Sequence, residues 1–256
     1  MPRSLSLSLL TVCACLAWTS PLLTAAEGET KPAVKPAATA TDVPAMKLDK
    51  EGKPNANFLA RHEKFLARAK SGPIDVLFIG DSITEGWEKK GKEVWAKHYE
   101  PLKAANFGIG GDRTEHVLWR FAHGELDGIS PKVVVLMIGT NNNGSAPADI
   151  LKGDLKVVSE IRAKLPQAKL LVLGIFPRGA DATDAKRQKM VEVNKGLAKL
   201  DDGKHVRYLD ISAKFLAPDG VLPKDVMPDL LHPNEKGYAI WAEAMNPLLT
   251  EMLAAK

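Results

Sequence analysis

The chain predicts an α/β domain of three layers, with a flavodoxin-like, five-stranded parallel sheet between two sets of helices. Three observations lead there. Short apolar runs without alternation, Val76-Leu77-Phe78-Ile79 and Lys132–Ile138 foremost, have the character of strands buried on both faces. Longer segments between them carry apolar residues at three- and four-residue spacing, so strands alternate with helices. The first three apolar runs each stop at a Gly-rich polar cluster. In a parallel sheet all such ends share one edge, where open α/β folds take their ligands.

The elements follow in order. Phe58, Leu59, His62, Phe65, Leu66 and Ala69 mark an amphipathic helix between Asn55 and Lys70, ended by Ser71-Gly72-Pro73. A strand over Ile74–Ile79 stops at Gly80-Asp81-Ser82. There Gly80 permits a sharp turn, and Asp81 can brace it by accepting backbone N–H bonds. A weaker helix spans Trp87 to Tyr99. Ala104–Phe107 is a short strand entering Gly108-Ile109-Gly110-Gly111-Asp112, and a helix over Thr114–Phe121 is capped by Asp112 or Thr114. The strand Lys132–Ile138 ends in Gly139-Thr140-Asn141-Asn142-Asn143. Helix Pro147–Lys164, strand Lys169–Phe176 broken by Pro177-Arg178-Gly179, helix Thr183–Leu200, strand His205–Ile211 and helix Asn234–Leu253 complete the chain.

Before the domain, residues 1–26 have a basic start, an apolar core and the small-residue ending Thr24-Ala25-Ala26, the pattern of a secretory signal peptide. Both cysteines, Cys13 and Cys15, fall inside it. A chain cut after Ala26 therefore has no disulfide, thiolate metal site or cysteine nucleophile. Residues 27–52, rich in Ala, Pro and Lys and poor in aliphatics, read as a disordered linker, leaving 53–256 as one domain with a full core. The net charge of +4 is spread over interspersed acids and bases. No basic stripe or aromatic ladder suggests nucleic-acid binding.

The polar clusters hold the residue types of acyl transfer: a nucleophile, a base, a group that orients the base, and donors for an oxyanion. Ser82 at the end of the first strand can be the nucleophile. Among six histidines, His62, His98, His116, His123 and His205 lie on or beside helices or at a strand start. His232 lies in the turn Asp229-Leu230-Leu231-His232-Pro233, where a carboxylate three residues away can hold Nδ1–H and leave Nε2 free. The alternative for that pair is an Asp and a His framing a helix entry. The backbone N–H groups of Ser82 and Gly111 and the side-chain amide of Asn141 can supply oxyanion donors. Rival motifs fail. Gly80-Asp81-Ser82-Ile83-Thr84 lacks the second glycine of a nucleophile elbow, and no dinucleotide or P-loop fingerprint is present. No HExxH motif or carboxylate cluster indicates a metal, and no cofactor is expected.

Gly80-Asp81-Ser82-Ile83, Gly111, Gly139-Thr140-Asn141 and Asp229-x-x-His232 resemble, in order, the motif blocks of the GDSL/SGNH esterases. Asn106–Phe121, Gly139–Asn142 and Pro177-Arg178-Gly179 are similar to the catalytic subunits of platelet-activating-factor acetylhydrolases. The resemblance covers about Ile74 to Leu253. It implies the three-layer SGNH hydrolase fold and a metal-free Ser82–His232–Asp229 triad, with an oxyanion hole from Ser82, Gly111 and Asn141. It further implies ester substrates and a homodimer. Ile83 stands where the family name carries leucine, and with Thr140 and Leu231 it is a candidate for the acyl pocket. The reading is an exported esterase of short, acetyl-type esters. A small-molecule, lipid or polysaccharide ester is the partner, and polysaccharide acetyl esters suit an exported enzyme better than ether phospholipids. The alternatives are a lipase, lysophospholipase or thioesterase on the same scaffold, and a catalytically silent binding module.

Overall fold

The computed structural model describes residues 40–255. The signal peptide expected over 1–26, and the linker up to residue 39, lie outside the described residues. Helix α1 (Ala56–Lys70) precedes strand β1 (Val76–Gly80), the short α2 (Ser82–Glu85) and α3 (Lys92–His98). Next come β2 (Ala104–Gly108), α4 (Thr114–Ala122), β3 (Val133–Met137), α5 (Pro147–Lys164) and β4 (Lys169–Leu173). The chain ends with α6 (Ala185–Leu197), β5 (Val206–Leu209), α7 (Ser212–Phe215) and α8 (Glu235–Ala254). All strand pairings are parallel, in the order β2-β1-β3-β4-β5. The predicted five-stranded doubly wound sheet is the one observed.

Strand periodicity explains the two cores. Leu77 and Ile79 of β1, with Val134 and Leu136 of β3, pack under α1, α4, α5 and α6 against Phe58, Phe65, Phe121, Ile150 and Met190. Val76, Phe78, Val133 and Val135 point the other way, toward Trp87, Tyr99, Phe215, Tyr238, Trp241 and Met245. Successive strand residues face opposite sides, so a sheet covered twice needs every position apolar.

Several local expectations differ from the structure. The predicted fourth and fifth strands end early, at Leu173 and Leu209; in the fourth, Asn194 takes over the backbone of Ile175, its Oδ1 accepting from the Ile175 N–H at 2.8 Å and its Nδ2 donating to the Ile175 carbonyl at 3.0 Å. The predicted helix from Trp87 to Tyr99 is a single 3₁₀ turn, Gly86–Glu88, followed by α3. The fully buried Trp87 and Tyr99 flank α3 and belong to the second core. Helix α4 begins after Arg113, whose N–H donates to His116 Nδ1 at 3.1 Å, so neither Asp112 nor Thr114 is its cap.

The part of the expected disordered linker from residue 40 to 52 is ordered against the domain. Met46 packs against the first core, and the other anchors are polar, which is why a search for aliphatic residues passes over them. Thr41 donates to the Asp149 carbonyl and accepts from Thr114 Oγ1, and Ala45 N–H donates to the Glu115 carbonyl. Leu48 bridges to Pro54, and Asn55 N–H returns to the Lys47 carbonyl at 2.9 Å.

Candidate active site

Gly80 ends β1 because a side chain there would overlap Thr84 and the Met137 carbonyl. The chain then turns into α2, with Asp81 Oδ1 accepting the Ile83 N–H at 2.9 Å, the brace expected of that aspartate. Ser82 is thereby raised at the carboxyl edge of the central strand. The turn after β2 lies against it: a Cβ added to Gly110 would come within 3.9 Å of Ser82 Cβ and 3.0 Å of Glu85 Oε2.

From the far end of the chain, the turn before α8 brings His232. Its Nε2 lies 2.9 Å from Ser82 Oγ, and its Nδ1 lies 2.6 Å from Asp229 Oδ2. The other Asp229 oxygen accepts the N–H groups of Leu231 (3.1 Å) and His232 (2.7 Å). Burial pushes the Asp229 carboxyl up, but the bonds from the His232 ring and backbone outweigh it and leave the group below its usual range. The turn carries strain: Leu230 sits at φ +59°, and its carbonyl is held by Gly179 N–H at 2.9 Å.

The N–H groups of Ser82 and Gly111 have no protein acceptor among the described residues. Gly111 adopts φ +73°, which a residue with a side chain reaches only with strain. Asn141 Nδ2 spans the two loops, donating to the Asp112 carbonyl at 2.9 Å and more weakly to Asp81 Oδ2 at 3.3 Å. Asp81 is fully buried, and burial pushes its carboxyl up to about 7. Asp112, also fully buried, is pushed up by burial to about 6, with Arg120 and Lys47 pulling against the shift.

The structure thus brings Ser82, His232, Asp229, Gly111 and Asn141 to one sheet edge. The three acyl-pocket candidates fare differently. Ile83 is buried in the second core and Thr140 is buried with its hydroxyl on Arg178 at 3.0 Å, so of the three Leu231 alone keeps partial exposure. Sequence reasoning assigns no role to Lys47 or Arg178. The motif Pro177-Arg178-Gly179 was the available signal for Arg178, which also holds the Thr140 carbonyl at 2.8 Å beside Asn141. Lys47 had none, lying in a segment read as linker. Among the described residues no three His, Cys, Asp or Glu side chains gather as a metal site would require.

A doubly wound parallel sheet with a serine, an imidazole and a carboxylate in hydrogen-bonded series at its carboxyl edge holds the groups that serine-dependent acyl transfer requires. Residues 78–240 match the GDSL-like Lipase/Acylhydrolase family, and the chain belongs to that family. It is 39% identical over 197 residues to platelet-activating factor acetylhydrolase IB subunit alpha2 of Rattus norvegicus, covering 77% of this chain and 85% of that protein. The fold is shared with a GDSL-like lipase from Bacteroides thetaiotaomicron (TM-score 0.62, 19% identity, 77% of this chain and 98% of that one). It is shared too with an acetyl-xylooligosaccharide esterase from Geobacillus Stearmophilus (TM-score 0.55, 18% identity, 74% and 97%).

Proposed function

We propose that this protein is an exported serine esterase that removes short acyl groups, acetyl foremost, through Ser82, His232 and Asp229. The observation that carries the mechanism is the continuous series Ser82 Oγ–His232 Nε2 (2.9 Å) and His232 Nδ1–Asp229 Oδ2 (2.6 Å). Asp229 accepts a hydrogen bond from Nδ1–H, so the Nε2 lone pair faces Ser82 and takes the Oγ proton as Oγ attacks the ester carbonyl. The carbonyl oxygen becomes an oxyanion held by Ser82 N–H, Gly111 N–H and one proton of Asn141 Nδ2. His232 then protonates the departing alkoxide. Water, activated by the same imidazole, cleaves the acyl-serine and restores the hydroxyl.

The preference for acetyl rests on the similarity to the acetylhydrolase subunit named above. Export rests on the pattern of residues 1–26, and a polysaccharide acetyl ester is the substrate class that an exported enzyme of this kind meets. Ser82→Ala should abolish hydrolysis of 4-nitrophenyl acetate with the far-UV spectrum and Tm unchanged, and retained turnover would refute the mechanism. An acyl series from acetate to decanoate should show kcat/KM falling with length; a maximum at long chains would favour a lipase instead. Protein isolated from its own cells should begin at Glu27, and an intact Met1 would refute cleavage of a signal peptide.

A further inference from the structure

Lys47 comes from the strap ahead of α1 and ends at the oxyanion side of the proposed site. Its Nζ donates to the Gly110 carbonyl at 2.5 Å and to Asp112 Oδ1 at 3.2 Å, and it lies 3.3 Å from where a Cβ on Gly111 would be. Its side chain is 14% exposed, so this is a seated ammonium rather than a surface lysine. The Lys47 carbonyl takes the N–H of Asn55, the residue that caps α1 through Phe58, which ties the strap to a rigid helix start.

The Gly110 carbonyl and the Gly111 N–H are opposite ends of one planar peptide. A cation bonded to the oxygen fixes the plane, and therefore the direction of the N–H. It also draws charge from the oxygen and makes the N–H a stronger donor. The neighbouring peptide is clamped as well, with Gly110 N–H on Glu85 Oε2 at 2.5 Å. Asp112 does not depend on Lys47 alone, because the buried Arg120 holds its other oxygen at 3.1 Å.

We infer that Lys47 is a positioning residue for ester hydrolysis: the strap at residues 40–54 completes the oxyanion hole by holding and polarising the Gly110–Gly111 peptide through the Lys47 ammonium. This rests on the serine esterase mechanism proposed above. The donor it supports strengthens its bond only as the oxyanion forms, so Lys47 acts on kcat and not on ground-state binding.

The test uses the full domain with the strap, with 4-nitrophenyl acetate as substrate. Lys47→Met should lower kcat about 10-fold, less than the 10²–10³-fold lost with a whole donor, and leave KM within about twofold. Lys47→Arg should restore most of the rate. If Lys47→Met does not fold, Lys47→Gln keeps a neutral donor to the Gly110 carbonyl and carries the same expectation with a smaller loss. A folded Met or Gln variant with wild-type kcat overturns the inference, as does a loss expressed in KM, which would make Lys47 a substrate-binding group. Ser82→Ala, run alongside, separates the two failures: if it is inactive and Lys47→Met is not impaired, only the role of Lys47 falls.

Discussion

Asp229→Asn tests the proposed mechanism most directly, because the geometry sets its outcome in advance. One carboxylate oxygen accepts Nδ1 of His232 at 2.6 Å, and the other accepts two backbone N–H groups. An asparagine must choose between them. With its oxygen toward the backbone, its NH₂ faces Nδ1, which then becomes an acceptor. The ring proton moves to Nε2 and the base is lost. With the amide reversed, the tautomer is preserved but two backbone N–H groups face an NH₂. In a turn this exposed, where water compensates in part, each mismatch costs about 1 kcal/mol, the low end for an unsatisfied donor. The productive form is then disfavoured by about 2 kcal/mol, a loss of about 30-fold in rate. The missing charge, which steadies the imidazolium in the transition state, adds to this, toward a ceiling of about 10⁴-fold. Steady-state kcat/KM on 4-nitrophenyl acetate across pH 5 to 9 is the assay, with Ser82→Ala as the zero. A variant within threefold of wild type, with an unchanged pH profile, would remove Asp229 from the mechanism and leave a Ser82–His232 dyad.

Two further outcomes test other parts of the site. Asn141→Ala should lower kcat by about 10²–10³-fold with KM little changed, since its amide serves a charge that exists only near the transition state; a change confined to KM would refute the oxyanion role. Asp154 on α5 is fully buried beneath Gly139, neither carboxyl oxygen has a partner among the described residues, and burial raises its pKa well above 3.8. The native state therefore keeps a proton that the unfolded chain releases, and stability falls as pH climbs from 3.8 toward the native value. Within that window the slope is about −1.4 kcal/mol per pH unit. Asp154→Asn should remove this slope, so that urea unfolding shows the variant gaining on wild type as the pH is raised from about 4. Parallel profiles would mean that Asp154 is ionised in the native state.

The sheet was legible because burial on both faces leaves a mark that survives in one dimension: β1, β3 and β4 are apolar runs without alternation, and the segments between the strands carry helical periodicity. The positions of Ser82, Gly111 and Asn141 were legible for a related reason, since a parallel sheet sends every strand's carboxyl end to one edge whatever the detailed packing. The spacing of Asp229 and His232 in one turn allowed them to face each other without excluding a helix-entry role, and it was the resemblance to the GDSL/SGNH esterases that paired them. Tertiary structure alone decided the rest. The end of the fourth strand was misjudged where one side chain, Asn194, captured the backbone that the sheet would otherwise have used. The seating of residues 40–52 was hidden because, Met46 aside, polar side chains and backbone groups hold it, and composition registers only apolar burial. Lys47 reaches Gly110 across a gap of 63 residues. A hydrogen bond to a backbone carbonyl places no demand on the residue that carries the carbonyl, so nothing in the sequence around Gly110 marks its partner.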